Sequence, residues 1–376
     1  MIDSVTPVKP SPEPPIRVLL VGPTMDAFPG GVAIQAATLA DRFNDEDGLV
    51  RIELLSITPP APRFLRPLRR IPVVRTIATT ILFVKSLIKR IPGSTLVHVN
   101  AAGFSSFVIS SLPAVVLGRL MGRPVVLHCH NGNLRHELIR FRPVFRWLLG
   151  LADLIVVPSR FLALSLAEVG LPSRTVANQV DIEHFPFRTR VPLLPKFVSC
   201  RHFEDIYDIP TLLSAFQQIQ ARFPNAELTL AGKGSRETEL RETVAKIGLR
   251  NVTFVGQLAP IQMARLLGDA GILLNSSAVD NTPVSLIEAF ASGLPIVSTD
   301  AGGIPFLVDQ GVTGRLVPVG DAAGLAREAI DLLERPAVAA EMTARARAVA
   351  EAQFSWPAVC VGWLATYRGL LLNKGA

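Results

Sequence analysis

Asp280 and Glu288, two carboxylates with seven residues between them, stand inside the segment LNSSAVDNTPVSLIEAFASGLPIVSTDAGG, residues 274–303. One falls in a loop and the other in the second turn of the following helix, so together they can flank a single ligand at its two ends. Asn281, Thr282 and Pro283 mark the start of that helix. Thr282 is expected to cap its first turn, and Pro283 to take the first helical position, where a missing amide hydrogen leaves nothing unpaired. Gly293 supplies the left-handed stop. The free amides and positive dipole end of such a helix suit an anion, a phosphate above all. Gly302 and Gly303 close the segment and, lacking Cβ atoms, let the backbone come close to a ligand. Turn chemistry around an amphipathic helix accounts for each residue singly; their combination points to a site.

Two further groups carry chemistry. His128-Cys129-His130 ends an apolar run, and strand alternation puts both histidines on one face. With no acid or third histidine beside them in the sequence, no metal site is expected. Gly30-Gly31 lies between an apolar strand, 16–22, and a helix from about 32 to 43, a strand-glycine-helix unit that by itself signals a phosphate loop only weakly. Cys129, Cys200 and Cys360 fit neither a disulfide framework nor a zinc pattern, and all three are expected to be thiols in a reducing compartment.

The elements that would position these residues alternate. Apolar runs at 16–22, 51–56, 95–99, 124–130 and 153–158 read as buried strands, separated by helices at 32–43, 70–90 and 103–120 and followed by one that Ser159 caps. After Pro186 to Pro195, proline-rich and without periodicity, the pattern resumes. Strands at 196–200, 226–231, 252–256, 271–275 and 295–299 are separated by helices at 208–222, 235–247 and 260–269 and by the helix of the 274–303 segment. Alternation of this kind implies α/β architecture with parallel, doubly wound sheets. At 376 residues the chain suggests two domains of roughly 190 residues each. The expected division is a disordered lead-in at 1–15, a first Rossmann-like domain at 16–188, a second at 189–353 and a terminal helix at 354–376.

The segment DNTPVSLIEAFASGLPIVSTDAGG resembles the donor-site signature of glycosyltransferase family 4, the retaining GT-B enzymes of the "glycosyl transferases group 1" type. There a Glu precedes by seven residues a second Glu that opens EAxAxGxPVVxTxxGG. The resemblance implies a GT-B fold, two Rossmann-like domains facing across a cleft, with the terminal helix, headed by Phe354-Ser355-Trp356, crossing back to the first. It also implies that the chain transfers a sugar from a nucleoside-diphosphate sugar to a hydroxyl, without a cofactor. Glu288 would hold the ribose hydroxyls, and Asp280 with Asn281, Thr282, Pro283 and the Gly302-Gly303 backbone the sugar and diphosphate. Arg201, at the end of the first strand of the second half, stands where the family's arginine reaches the diphosphate. His130, in PVVLHCHNG, would contact the donor sugar or acceptor, with His128 a structural histidine, and Gly30-Gly31 would belong to the rim of the cleft.

Three departures accompany the match. The first Glu is Asp280, whose carboxylate is drawn back by about 1.5 Å. The lysine of the family's EKG motif is Tyr207, which leaves Lys233, in the glycine loop 232–234, as the candidate replacement cation. The glycine of the family's NGVD turn is Gln179; if that turn needs a left-handed backbone, Gln costs roughly 1 kcal/mol there.

A net charge of +7 is unevenly spread. Between Ala61 and Arg90 stand Arg63, Arg66, Arg69, Arg70, Arg75, Lys85, Lys89 and Arg90, with no acid and with bulky apolar residues interleaved. That pattern suits a helix lying in an anionic membrane interface, with a core helix with solvated ends as the lesser alternative; it does not suit a nucleic-acid reader. Arg135, Arg140, Arg142 and Arg146 around Phe141 and Trp147 could extend the face. The apolar run 101–118 holds serines, a proline and glycines, and is expected to be a buried crossover helix rather than a membrane span. The N-terminus lacks the apolar core of a signal peptide, so the expected place is the cytoplasm, at the inner face of the membrane, with a lipid-linked or glycan acceptor. A catalytically silent sugar-nucleotide-binding subunit and a nucleotide-sugar epimerase remain as alternatives.

Overall fold

The computed structural model describes residues 14–26, 30–45, 48–59, 72–101, 107–130 and 142–375. The chain divides into two compact units, one made of residues 1–158, 165–176 and 361–376, the other of 159–164 and 177–360.

The first unit runs β1 (Ile16–Gly22), α1 (Gly31–Asp45), β2 (Val50–Ser56), α2 (Pro72–Arg90), β3 (Leu96–Ala101), α3 (Leu112–Leu120), β4 (Val125–Cys129), α4 (Arg142–Leu149), β5 (Leu154–Val157), the end of α5 (Arg160–Ala167), whose residues 160–164 belong to the second unit, and β6 (Arg174–Thr175). Its six strands form one parallel sheet in the order β2-β1-β3-β4-β5-β6. Val18 to Val21, Val97, Val99 and Val125 to Leu127 are buried. A strand buried on both faces has no polar side to alternate with, which is why these read as continuous apolar runs. A π-helical turn at Phe107–Ser111 leads into α3, so the described part of the 103–120 helix starts irregularly. No described helix is long and apolar enough to cross a membrane.

The second unit runs β7 (Lys196–Ser199), α6 (Ile209–Arg222), β8 (Glu227–Ala231), α7 (Glu237–Lys246), β9 (Val252–Gly256), α8 (Pro260–Asp269), β10 (Ile272–Asn275), α9 (Val284–Ser292), β11 (Ile296–Thr299), β12 (Arg315–Val317), α10 (Ala322–Glu334), α11 (Pro336–Phe354) and α12 (Trp356–Gly375). Its parallel strands are ordered β12-β11-β10-β7-β8-β9. Chain order reverses between β7 and β10, the switch point outside whose carboxyl edge such sheets leave a crevice for ligands. From Val361 onward α12 is part of the first unit, where the rings of Trp363 and Tyr367 stack at 5.4 Å and Tyr367 meets Phe43.

Arg190 ties the start of the second unit together. Its guanidinium donates to the carbonyls of Leu267 and Ala270 at the end of α8 and of Ser292 and Gly293 at the end of α9. The last turn of a helix has carbonyls without intrahelical partners, and one side chain satisfies two such ends.

Candidate functional site

In the first unit, Gly30 and Gly31 lie at the start of α1. A Cβ added at either would meet no neighbouring atom, and neither has a positive φ. Nothing within the described chain requires glycine there.

At the ends of β3 and β4, the same-face expectation for His128 and His130 holds, their ring centroids lying 3.9 Å apart. His98, from the adjacent strand β3, joins them, so the cluster has three imidazoles, a convergence that depends on strand pairing and has no local sequence signal. Tyr367 Oη lies 2.9 Å from His98 Nδ1, while His98 Nε2 and His130 Nε2 lie 3.4 and 3.2 Å from His128 Nδ1. His128 Nδ1, with a single in-plane lone pair, can accept from only one of these two nitrogens. His128 Nε2 is buried and has no partner among the described residues. The sequence reading made His128 structural and His130 the ligand-facing histidine; His128 is buried, its Nε2 has no partner among the described residues, and His130 Nε2 lies against His128 Nδ1. Burial holds His98 down to about 3 and His130 to about 4, and with help from both neighbours keeps His128 well below the usual histidine value. The cluster is neutral. No group of three histidine, cysteine or acidic side chains among the described residues is arranged to hold a metal.

In the second unit, Arg201 and Asp280 stand at the switch point. Arg201 follows β7 and Asp280 lies in the loop after β10. Arg201 Nη2 donates to Asp280 Oδ2 at 2.5 Å and its Nε to Asn275 Oδ1 at 2.9 Å. The two side chains are 11% and 13% exposed, so the pair is largely desolvated. Ser277 Oγ lies within hydrogen-bond distance of both acceptors, 2.9 Å from Asn275 Oδ1 and 3.2 Å from Asp280 Oδ2, and Asn275 in turn donates to Ser298 on β11. A polar network of this kind fixes the geometry of the guanidinium before any ligand arrives.

The 280–303 loop system differs from expectation in three particulars. Pro283 is the N-cap, not the first helical residue, and no side chain caps α9. Thr282, expected to cap, instead directs its hydroxyl at Asn281 Oδ1, 3.5 Å away. Asn281 itself is buried, accepting from Ser159 and so holding the cap of α5. Gly302 and Gly303 have an intramolecular reason: a Cβ on them would collide with the carbonyl oxygens of Asp280 and Asn281, and Gly303 N donates to Asp280 O at 3.0 Å. The glycine pair lets the two loops touch, which places the Asp280 backbone, and its closeness to a ligand is not required to explain it. Gly293 does take the left-handed backbone, φ 67°.

Glu288, one turn and more into α9, makes no side-chain hydrogen bond among the described residues. Burial raises its carboxyl to about 7, and the nearby Arg201 pulls the other way. The site therefore joins one fixed guanidinium, one uncapped helix start and one carboxyl poised near neutrality.

Residues 195–335 match the family "Glycosyl transferases group 1" and residues 29–184 match "Glycosyltransferase Family 4". The chain belongs to the group 1/family 4 glycosyltransferases. It is 28% identical over 69% of its length to the amylovoran biosynthesis glycosyltransferase of Erwinia amylovora, and 30% identical over 47% to the phosphatidyl-myo-inositol mannosyltransferase of Mycolicibacterium smegmatis. The matched stretches span 66% and 47% of those relatives. In structure it resembles Anabaena HepE solved with UDP-glucose, with a TM-score of 0.74 at 18% identity, covering 94% of this chain and 99% of that one. The GT-B likeness of the two six-stranded sheets is thus a likeness of fold.

Against the pattern of this glycosyltransferase family, the departures acquire structural meaning. Asp208, in the glycine position of the EKG motif, holds φ 42°, the left-handed backbone a glycine adopts without cost. That supports placing Tyr207 at the lysine position. Its ring lies 5.3 Å below the Arg201 guanidinium. Lys233 is exposed, and its Cε lies near Gly256; its loop runs close against the Arg201 backbone, since a Cβ on Gly232 would collide with Arg201 O. Gln179 is not among the described residues with positive φ, so the turn needs no glycine.

Proposed function

We propose that this chain is a retaining glycosyltransferase that moves a sugar from a UDP- or GDP-sugar to a hydroxyl of a lipid-linked or glycan acceptor. The observation that carries the reading is the Arg201 guanidinium fixed at the β7/β10 switch point beside the uncapped start of α9. Breaking the glycosidic bond leaves negative charge on the departing diphosphate. Donors already aimed at that charge stabilise the transition state without reorganising, each by roughly 3 kcal/mol. Arg201 and the first amides of α9 are such donors, and Glu288, ionised, accepts from the ribose hydroxyls. Retention without an evident nucleophile fits front-face attack, the acceptor hydroxyl passing its proton to the leaving phosphate oxygen. The relatives named above support the polysaccharide or glycolipid setting.

The acceptor is brought by a membrane surface. On α2, Ile77, Ile81 and Ile88 are exposed, with Lys85 and Lys89 beside them; an amphipathic face of this type binds anionic bilayers by burying the apolar side chains while the lysines meet headgroups. Arg63, Arg66, Arg69 and Arg70 lie outside the described residues. The protein works at the cytoplasmic face.

The reading is tested by incubating purified protein with UDP-, GDP- and ADP-sugars, with and without membrane extract, and following nucleoside diphosphate release. Release dependent on extract supports a transferase and names its donor. Tight binding without release from any donor overturns the transferase in favour of a silent binding subunit, which the engagement of Arg201 by Asp280 favours. Conversion of the sugar with no acceptor would establish an epimerase.

A further inference from the structure

Arg201 is held on three sides. Asn275 takes its Nε–H and Asp280 one Nη2–H. The third side is the face of Tyr207, 5.3 Å from Cζ to ring centroid. Tyr207 ends a short 3-10 turn, Asp205–Tyr207, that is fastened to the Asp280 loop. The amides of Ala278 and Val279 donate to Ile206 O, and Ser276 Oγ donates to Tyr207 O at 2.8 Å. The rest of the ring packs on the core of the second unit. Its hydroxyl makes no hydrogen bond among the described residues, so the ring face is what Tyr207 offers the site.

We propose that Tyr207 is a positioning residue: its ring fixes the plane of the Arg201 guanidinium so that the remaining N–H groups stay directed at a bound nucleoside diphosphate. The proposal rests on the donor-site reading above. A guanidinium has five N–H donors in one plane. Two are used within the protein, and three are left for phosphoryl oxygens. Asp280 competes for those donors, and an arginine on a free stem would turn further onto the carboxylate. A ring beneath the plane resists that rotation and attracts the cation without adding an acceptor or a second positive charge. The shortened acid and the aromatic residue therefore act together, one holding the edge of the guanidinium and the other its face.

The test uses the full chain with UDP and GDP as binding probes and UDP-glucose and GDP-mannose as turnover probes, each variant checked by its melting temperature. Tyr207→Ala is expected to lower kcat about tenfold with a smaller change in KM, and Tyr207→Phe, which keeps the ring, to restore most of the loss. In an Arg201→Ala background, Tyr207→Ala is expected to change nothing further. The proposal is overturned if Tyr207→Ala matches wild type, if Tyr207→Phe loses as much as the alanine variant, or if Tyr207→Ala still costs activity once Arg201 is gone. Failure of the wild-type protein to bind either diphosphate would overturn the donor-site reading and this proposal together.

Discussion

An arginine pinned between an aspartate, an asparagine and a tyrosine ring is poor at anything but receiving an anion in a set direction. Arg201→Ala is therefore expected to reduce kcat by about a hundredfold or more while weakening donor binding far less; equal losses in both would show that Arg201 holds the ground state as firmly as the transition state. Glu288 makes a second prediction. With its carboxyl near 7, the ionised form that accepts from ribose hydroxyls is lost as pH falls. Affinity for the donor nucleotide should drop about tenfold between pH 8 and pH 6, read by calorimetric titration. Glu288→Gln should flatten that dependence; a pH profile unchanged by the substitution would remove Glu288 from the nucleotide.

Among the elements, α8 and α9 end on the same guanidinium. Replacing Arg190 by Met keeps the aliphatic stem but leaves several carbonyls without a donor, a loss of about 3 kcal/mol. Thermal unfolding should register it as a lowered Tm, with no change in UDP binding per folded molecule. The α2 face makes a different kind of claim. Exchanging Ile77 and Ile81 for Ser and Lys85 and Lys89 for Gln should release the protein from vesicles containing anionic lipid and leave the fold intact by circular dichroism. Unaltered co-sedimentation would return α2 to an ordinary helix with solvated ends.

For the whole molecule, the two units respond to acid in opposite senses. Unfolded histidines take a proton near 6.5, whereas His98 and His130 resist until about 3 and 4. Their folded pKa values are depressed, so the stability tied to their neutrality is present above 6.5 and is lost as pH falls from there toward 4. Glu288 is raised, so its contribution runs the other way: present below the ordinary carboxyl range and lost as pH rises through 7. Acidification from pH 7.5 to 5 should lower amide protection in β3, β4 and the 361–375 part of α12 before it lowers protection in β7, β10 and β11. Simultaneous loss in both units would show that the cluster is not what sets acid stability.

The sequence by itself determined the α/β class, the placement of most strands and helices as far as Gly303, and the 274–303 segment, because apolar runs, prolines and glycines report on their own backbone and on burial. Gly293 as a stop and His128 and His130 on one face are legible for that reason. Between Gly303 and Phe354, α10 and α11 come from the structure alone, and β12 with its three residues, like the two-residue β6, carries too little periodicity to be seen. What only the tertiary structure decided are relations between segments far apart in the chain: Asp280 on Arg201 rather than open to a sugar, Gly302-Gly303 shaped by the Asp280-Asn281 backbone, Tyr207 beneath a guanidinium where a cation was expected, and His98 and Tyr367 completing a cluster with His128. Each depends on which strands become neighbours, and strand order is set by the packing of whole sheets rather than by any local run of residues.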